Sequence, residues 1–543
     1  MKSTLPSLVM AGLISAIPLL AFSQSISADA PNEEMIVEPI TSQAVSPVPG
    51  ETAITPTVMM KVPGATLRTP AQMDEVTRMA APVESARPPF LPTTGIAEYL
   101  AAKAVAASRA PAEARPNASA AAAPSAPPIA AFQFEGVNQT TAGGSFPPDT
   151  HGAAGRTHFV EVTNQHVDVY VKATGLLVKS VSLASFFGFS LAPSFDPRVV
   201  YDRTYNRWII IADSFPISAT DQRQLIAVST TSNPLGAFFI YRGFNVMPAI
   251  GTGRFWDYPQ LGMDQDAIIV TANVFLGNSY EGARMVAVAK ARLYNGLGFS
   301  VPMFSFPSAV ATVAPPIVLD QSAKTFLVAA PSSGSALKLF TLRDSSNANQ
   351  ATLTGPVNVP VAAYALPPNA TQCFGAGAAE LLDTSDGRFV NASTQTGNFL
   401  WNVHSVNSGG AAVRWYKINT ATNALVQSKT HFQSGTSFDF NASIAANDAG
   451  DIYFTWISAS STVCPQVVFN GERSGLFPPT AGSVLFTSPT KITGNFDTNF
   501  GTQRWGDYSA VTLDPAAVGN AWLVNEKVNS TSEWGSRIGR IRF

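Results

Sequence analysis

Charge is scarce in this chain. Lys, Arg, Asp and Glu make up only 13% of its 543 residues, and the formal net charge is −2. A nucleic-acid binder shows a basic stripe, and a binder of anionic membranes a basic face; neither is present, so both classes are set aside. Cysteine is rarer still, with Cys373 and Cys464 alone. Neither lies in a CxxC or beside another metal-ligating residue, which weakens zinc and dithiol-redox readings. Also missing in any supporting context are GxSxG, HExxH, the P-loop and GxGxxG, which argues against the common hydrolase, metalloprotease and nucleotide classes.

Long apolar runs stop early. After the first two dozen residues no stretch reaches the roughly 18 apolar residues that a membrane span needs. The opening, MKSTLPSLVMAGLISAIPLLAFSQS, joins Lys2 to an apolar stretch from Leu8 to Phe22, with a small-x-small cleavage pattern at Ala21-Phe22-Ser23. That order predicts a secretory signal peptide over 1–23 rather than an anchor, and a secreted, extracellular or periplasmic protein. Residues 24–131 are short of aromatics and rich in Ala, Pro, Ser, Thr and Val, as in ASAAAAPSAPPIAA. Such composition buries too little apolar surface to offset ordering entropy, so a disordered Ala/Pro-rich spacer is expected, or a pro-segment that is later removed. Two helical patches stand out within it: TPAQMDEVTRMAA, opened by Thr69 and Pro70, and IAEYLAAKAVAASRA from Ile96.

What is plentiful begins at Phe132: short runs of Val, Ile, Phe and Tyr, broken every ~8–12 residues by Gly, Pro, Asn or Asp. A loose repeat runs through them, a polar knot followed by an apolar run, a turn and a second apolar run. Its copies are PPDTHGAAGRTHFVEVTN, SFDPRVVYDRTYNRWIIIAD, WDYPQLGMDQDAIIVTAN, APPIVLDQSAKTFLVAAP, GAAELLDTSDGRFVNAST, FDFNASIAANDAGDIYFTW and RWGDYSAVTLDPAAVGNAWLVNE. With equivalent positions at Asp149, Asp196, Asp257, Pro315, Ala378, Asp439 and Asp507, the period is about 60 residues, room for a four-stranded blade and its loops. The expected fold is all-β, a seven-bladed β-propeller over 132–543; uneven first and last steps are also compatible with six or eight blades. Asp202-Arg203, Asp264-Gln265-Asp266, Asp383 to Gly387 and Asn447 to Gly450 read as the hairpin turns of successive repeats. FQFEGVNQ, from Phe132, is placed to complete the last blade and close the ring. In an oxidising compartment Cys373 and Cys464 can pair across adjacent blades, or remain two buried thiols.

Residues just before each inner strand converge on one rim of a propeller channel. Asp149, Asp196, Asp257, Asp439 and Asp507 therefore form a partial carboxylate ring, with Arg198, Arg254 and Arg504 close by and Tyr258 and Tyr508 directly following two of the acids. One account of the ring is a blade brace of backbone hydrogen bonds and Arg–Asp pairs. Three chemical accounts stand beside it. All five carboxylates offer hard oxygen ligands for Ca²⁺. Asp149, Asp196, Asp257 and Asp507 include candidate acid and base partners for glycoside hydrolysis. Arg198, Arg254, Arg504, Trp256, Trp505, Tyr258 and Tyr508 offer charge-assisted hydrogen bonds and flat faces to a sugar or acidic glycan. GRFWDYP and QRWGDYS carry Arg, Trp, Asp and Tyr in the same order, as either a shared brace or a two-sided clamp. Glu526 is placed to face Tyr508. His151, His158 and His166 match no metal-ligand spacing.

The blade segments STTSNPLGAFFIYRG, VRWYKINTATNALVQS, DFNASIAANDAGDIYFTW and RWGDYSAVTLDP resemble the sialidase-like superfamily of secreted bacterial propellers over about 132–543. The chain has no FRIP-like first blade and no clear S-x-D-x-G-x-T-W Asp box, so the resemblance is to a branch without them. It implies a propeller that meets a polysaccharide or glycoconjugate; with the charge and hydropathy above, no nucleic-acid partner and no membrane span are expected, and a monomer is. Two functions follow as expectations: a module binding glycan or protein at the channel rim, or a carbohydrate-active enzyme using the rim carboxylates.

Overall fold

The repeats fold as mainly antiparallel sheets whose inner strands are covered on both faces by neighbouring sheets; the short strand Pro316–Val318 instead pairs parallel with Met263 and with Ser393–Gln395 of its neighbours. Strands such as Arg207–Ser214 and Ala267–Leu276 are therefore buried along nearly their whole length, and their sequences, RWIIIADS and AIIVTANVFL, are apolar runs instead of alternating ones. The structure, a computed structural model, describes residues 37–38, 52–79, 89–108, 126–375, 377–476 and 480–543. The expected signal peptide lies outside the described residues.

Seven blades follow one another around an axis. Their inner strands are His151–Ala154, Ser194–Asp202, Arg254–Met263, Pro316–Val318, Ser393–Thr396, Phe438–Ala446 and Ala510–Leu513. One apolar cluster fills the space between each successive pair of blades. Trp208 sits between blades 1 and 2, Trp256 between blades 2 and 3, and Trp505 and Trp534 between blades 6 and 7. The ring closes as the sequence predicts: Ile129–Asn138 pairs antiparallel with Glu533–Arg542 and supplies the outer strand of blade 7. Closure of this kind joins the two ends of the ring by a hydrogen-bonded ladder and leaves no open edge there.

Hairpin turns opposite the rim follow the Asp signals. Asp202 Oδ1 accepts from the amides of Thr204 (2.9 Å) and Tyr205 (3.1 Å), and Asp264 Oδ1 from those of Asp266 (3.0 Å) and Ala267 (2.8 Å). These are Asx turns, in which the side chain imitates a backbone acceptor. The fifth copy departs from the reading. Ala378 lies in a 3-10 turn, Ala378–Glu380, and the inner strand of blade 5 starts only at Ser393. Asp383 to Gly387 is accordingly part of the long blade 4–5 connection at the rim, not a hairpin turn. Cys373, in the same connection, is disulfide-bonded to Cys464 of blade 6, with Cα atoms 4.6 Å apart.

The segment expected as a spacer does more than separate, wherever it is described. Thr66–Arg68 pairs with the outer strand of blade 2, Pro56–Val62 with that of blade 3, and Ala53–Ile54 with that of blade 4. Both helical patches form, as α1 (Pro70–Met79) and α2 (Ile96–Ser108). Met73 of α1 enters the apolar cluster between blades 1 and 2, while α2 reaches the rim. Strand addition draws on backbone hydrogen bonds, which a composition argument based on side chains does not count.

Candidate functional site

At the rim the inner strands change register. Pairing breaks between Phe195 and Arg198 in blade 2, Asp257 and Gln260 in blade 3, and Phe440 and Ser443 in blade 6. The residue at each break is left-handed: Asp196 (φ 51°), Tyr258 (φ 58°) and Asn441 (φ 53°), with Asp149 (φ 47°) in blade 1. Bulges re-aim side chains, and here they carry polar groups to the axis. Tyr258, not Asp257, therefore occupies the position equivalent to Asp196; Asp257 stands where blade 2 has Phe195.

The two DY dipeptides meet at the axis. The rings of Tyr258 and Tyr508 pack edge to face, 5.0 Å between centroids. Tyr508 donates its hydroxyl hydrogen bond to Asp196 Oδ2 at 2.5 Å, and Tyr258 donates to the Asp507 carbonyl at 3.3 Å. Arg198 lies 3.3 Å from the Tyr508 ring centroid, fixed by bonds to the carbonyls of Pro259 (2.8 Å) and Val390 (2.9 Å). Its Nη2, Asp196 Oδ1, and both side-chain polar atoms of Gln260 are buried without a protein partner. Arg388 covers the other face of the pair, 4.3 Å from the Tyr258 centroid, and is held by Asp386. Arg504 grips Asp507 through two bonds, of 2.8 and 2.6 Å.

Packing this many charges out of water moves their protonation. Burial, then the neighbouring Asp257 and Asp507, pushes Asp196 up to about 7, against the pull of Arg198. Burial likewise lifts Asp257 to about 7, although Arg388 and Arg504 oppose it. Asp149 is raised by burial and by Asp507 and Asp196, and Glu526 by burial, Asp149 and Asp507. Asp386 goes the other way: burial raises it, but the Arg388 guanidinium outweighs that and holds it below the usual range. Carboxylates near neutrality beside fixed cations are groups able to exchange protons at working pH.

Several expected members are elsewhere. Asp439 is engaged within blade 6, accepting from Trp456 Nε1 at 2.8 Å and Ser437 Oγ at 2.6 Å. Arg254 turns outward to Glu281 at 2.5 Å rather than to Asp257. Trp256 and Trp505 are closed inside inter-blade clusters, with Trp256 Nε1 bonded to Gln224 at 3.1 Å, so neither offers a stacking face to a ligand. The RFWDYP and RWGDYS segments thus share letters but not roles: only Arg504 forms the brace. Glu526 accepts from the Gly506 amide at 2.7 Å, and Tyr508 bonds Asp196 instead of Glu526. Of the three histidines only His151 reaches the channel, where it meets Asn391 at 2.9 Å.

Calcium does not fit this arrangement. Asp149 spends its two oxygens on Asn164 Nδ2 (2.5 Å) and the Asp507 amide (2.6 Å), while both Asp507 oxygens face Arg504. Among the described residues no group of three or more His, Cys, Asp or Glu side chains is placed to hold a metal. Three contributors escape the sequence reading: Asp383, Asp386 and Arg388. Their signal was DGR directly before the apolar FVNAS, hidden by the misplaced fifth repeat.

No family model and no curated protein matches the chain. Solved structures do, at low similarity. The subtype N10 neuraminidase-like protein of A/little yellow-shouldered bat/Guatemala aligns over 60% of this chain and 95% of its own, with 8% identity and a TM-score of 0.34. The hemagglutinin-neuraminidase of Parainfluenza Virus 5 aligns over 64% and 92%, with 11% identity and a TM-score of 0.36. An exo-beta-1,3-galactanase from Phanerochaete chrysosporium aligns over 65% and 99%, with 10% identity and a TM-score of 0.31.

Proposed function

We propose that the axial cluster binds a glycan bearing an acidic group and cleaves it by acid–base chemistry. The observation that carries this is the pair Asp196 and Asp257, both buried and both poised near neutral pH, beside Arg198, Arg388 and Arg504. Asp257 takes the role of general acid: among the described residues no side chain hydrogen-bonds it, and burial raises its carboxyl to about 7. Asp196 takes the role of base toward the Tyr508 hydroxyl, which it already receives at 2.5 Å. Burial and Asp196 hold the Tyr508 phenol well above its usual range and Arg198, over the same ring, opposes them, so Tyr508 serves as nucleophile, or activates one, only as its proton passes to Asp196. Unpartnered Arg198 Nη2 and Gln260 are donors available to the ligand. Asp149 and Asp507 hold the frame, one through Asn164 and the Asp507 amide and the other through Arg504.

Buried unpaired polar atoms and left-handed Asp residues are unfavourable for stability, which supports function over bracing at this position. A secreted monomer agrees with the disulfide and with a closed ring that offers no free edge at its seam. The test is a screen of acidic and neutral polysaccharides and aryl glycosides, scored for both binding and product. Product from the wild type that disappears in Asp257→Asn while binding persists is the expected result. Binding without product in either protein leaves a non-catalytic module. Neither binding nor product in protein whose Arg388 and Arg504 are solvent-accessible overturns the proposal.

A further inference from the structure

The mouth of the axial site is filled by the chain's own arm. Phe90 lies over two of the site's arginines, 5.4 Å from Arg388 and 5.0 Å from Arg504, measured to its ring centroid. Arg388 also donates to the Leu91 carbonyl at 3.2 Å. From α2, Tyr99 donates to Asp383 Oδ1 at 2.8 Å. One turn later the Lys103 ammonium donates to the Pro367 carbonyl (3.0 Å), Thr384 Oγ1 (2.7 Å) and the Ser385 carbonyl (2.7 Å). We propose that residues 89–108 are a detachable plug, docked on a rim surface that fits a peptide carrying one aromatic and one cationic side chain. The site takes its ligand only when this arm leaves. What the plug shuts off rests on the functional reading above; that it detaches does not.

The contact is specific and confined to one small apolar cluster, Phe90 and Tyr99 against Leu366 and Phe500, with the polar bonds above around it. Along α2 only Tyr99, Lys103 and Ala106 are buried, a single stripe at helical spacing, while Leu100 and Val105 stay 38% and 49% exposed. A gap of about 350 Å³ runs beside the helix, between Ala102 and Val105 on one side and Ser332, Ser333 and Leu366 on the other. The groove is open to solvent, so this side of the helix is not covered by the propeller. Its central anchor is a buried lysine, where a permanent joint would be tighter with an apolar side chain. The preceding strands of the same arm differ, because Pro56–Val62 and Thr66–Arg68 are hydrogen-bonded into blades 3 and 2. The arm therefore stays tethered when the plug lifts.

The full chain carrying Tyr99→Ala with Lys103→Ala is labelled with phenylglyoxal, and the modified arginines are mapped by mass spectrometry. Arg388 and Arg504 are 4% and 3% exposed with the plug in place. They should react at least tenfold faster in the variant, while the exposed Arg292 reacts as before. A synthetic peptide of residues 89–108 added in excess should restore protection. Amide hydrogen exchange of wild-type 96–108 should be faster than that of blade 7 strands. Arginines as slow in the variant as in the wild type, or wild-type α2 amides protected as strongly as the blade strands, overturn the plug; the exchange measurement stands even if the variant does not fold. Reactive arginines in a variant that retains no acidic glycan would sink the glycan reading and leave the plug standing.

Discussion

Replacing Asp257 by Asn removes a charge that the fold holds at a penalty. Burial lifts this carboxyl from a usual value of 3.8 to about 7. A displacement of roughly three units, at about 1.4 kcal/mol each, corresponds to ~4 kcal/mol. The sign follows from linkage: the folded state binds the proton more tightly than the unfolded chain. Its contribution to stability is complete below about pH 4 and is lost as pH rises through about 7. Asn is nearly isosteric and has no proton to lose, so it escapes that decline. Wild type and Asp257→Asn should therefore unfold at similar urea concentrations near pH 4, and by about pH 8 the variant should be the more stable by ~2–4 kcal/mol. Tryptophan fluorescence across a pH series reads the difference directly. A variant that is less stable than the wild type near pH 8, by a gap that widens with pH, would refute the reasoning. Asp257 would then be an ordinary ion-pair partner of Arg388 and Arg504, and its role as general acid would fall with the penalty.

Arg504→Met leaves Asp507 buried without its two bonds, and should destabilise by about 3–5 kcal/mol in urea unfolding. Trp256→Ala and Trp505→Ala each open a cavity in an inter-blade cluster; a loss of about 3–5 kcal/mol in urea unfolding is expected, because both side chains are core and not ligand faces. Tyr508→Phe removes the donor to Asp196; it should cost the fold only about 1–2 kcal/mol but lower turnover by roughly 10²–10⁴. Turnover by Tyr508→Phe at the wild-type rate would remove Tyr508 from the chemistry.

Blade number and ring closure were legible because they depend on what sequence displays directly: paired apolar runs, turn residues between them, and an orphan strand at Phe132. The convergence of Tyr258 and Tyr508 was legible for the same reason, since inner strands enter a propeller from one rim. Phase was not. The connection before blade 5 carries a 3-10 turn, Ala378–Glu380, and an Asp-rich run that resembles the turns of other blades. One misplaced repeat then hid Asp383, Asp386 and Arg388 together. The WDY likeness failed at a finer scale: a bulge between Asp257 and Gln260 shifts the chain by a residue, and identical letters face different neighbours.

The described parts of the arm bear on how the site works. Its Ala- and Pro-rich composition does predict that it forms no core of its own, and among its described residues it forms none apart from the propeller. It orders by borrowing: Pro56–Val62 takes its hydrogen bonds from the edge of blade 3, and α2 takes Asp383 and Thr384 from the rim. A segment ordered only by its partner can leave that partner without unfolding anything else, so low complexity and a built-in occupant are two consequences of one property. The strength of each borrowed contact then sets which part moves. The ladder along blade 3 repeats its bonds over several residues, whereas the rim contact rests on the small apolar cluster of Phe90 and Tyr99 with Leu366 and Phe500 and on the Lys103 bonds. The plug is the weaker half of the arm, and it lies over the acids and arginines whose charges the rest of the propeller keeps from water.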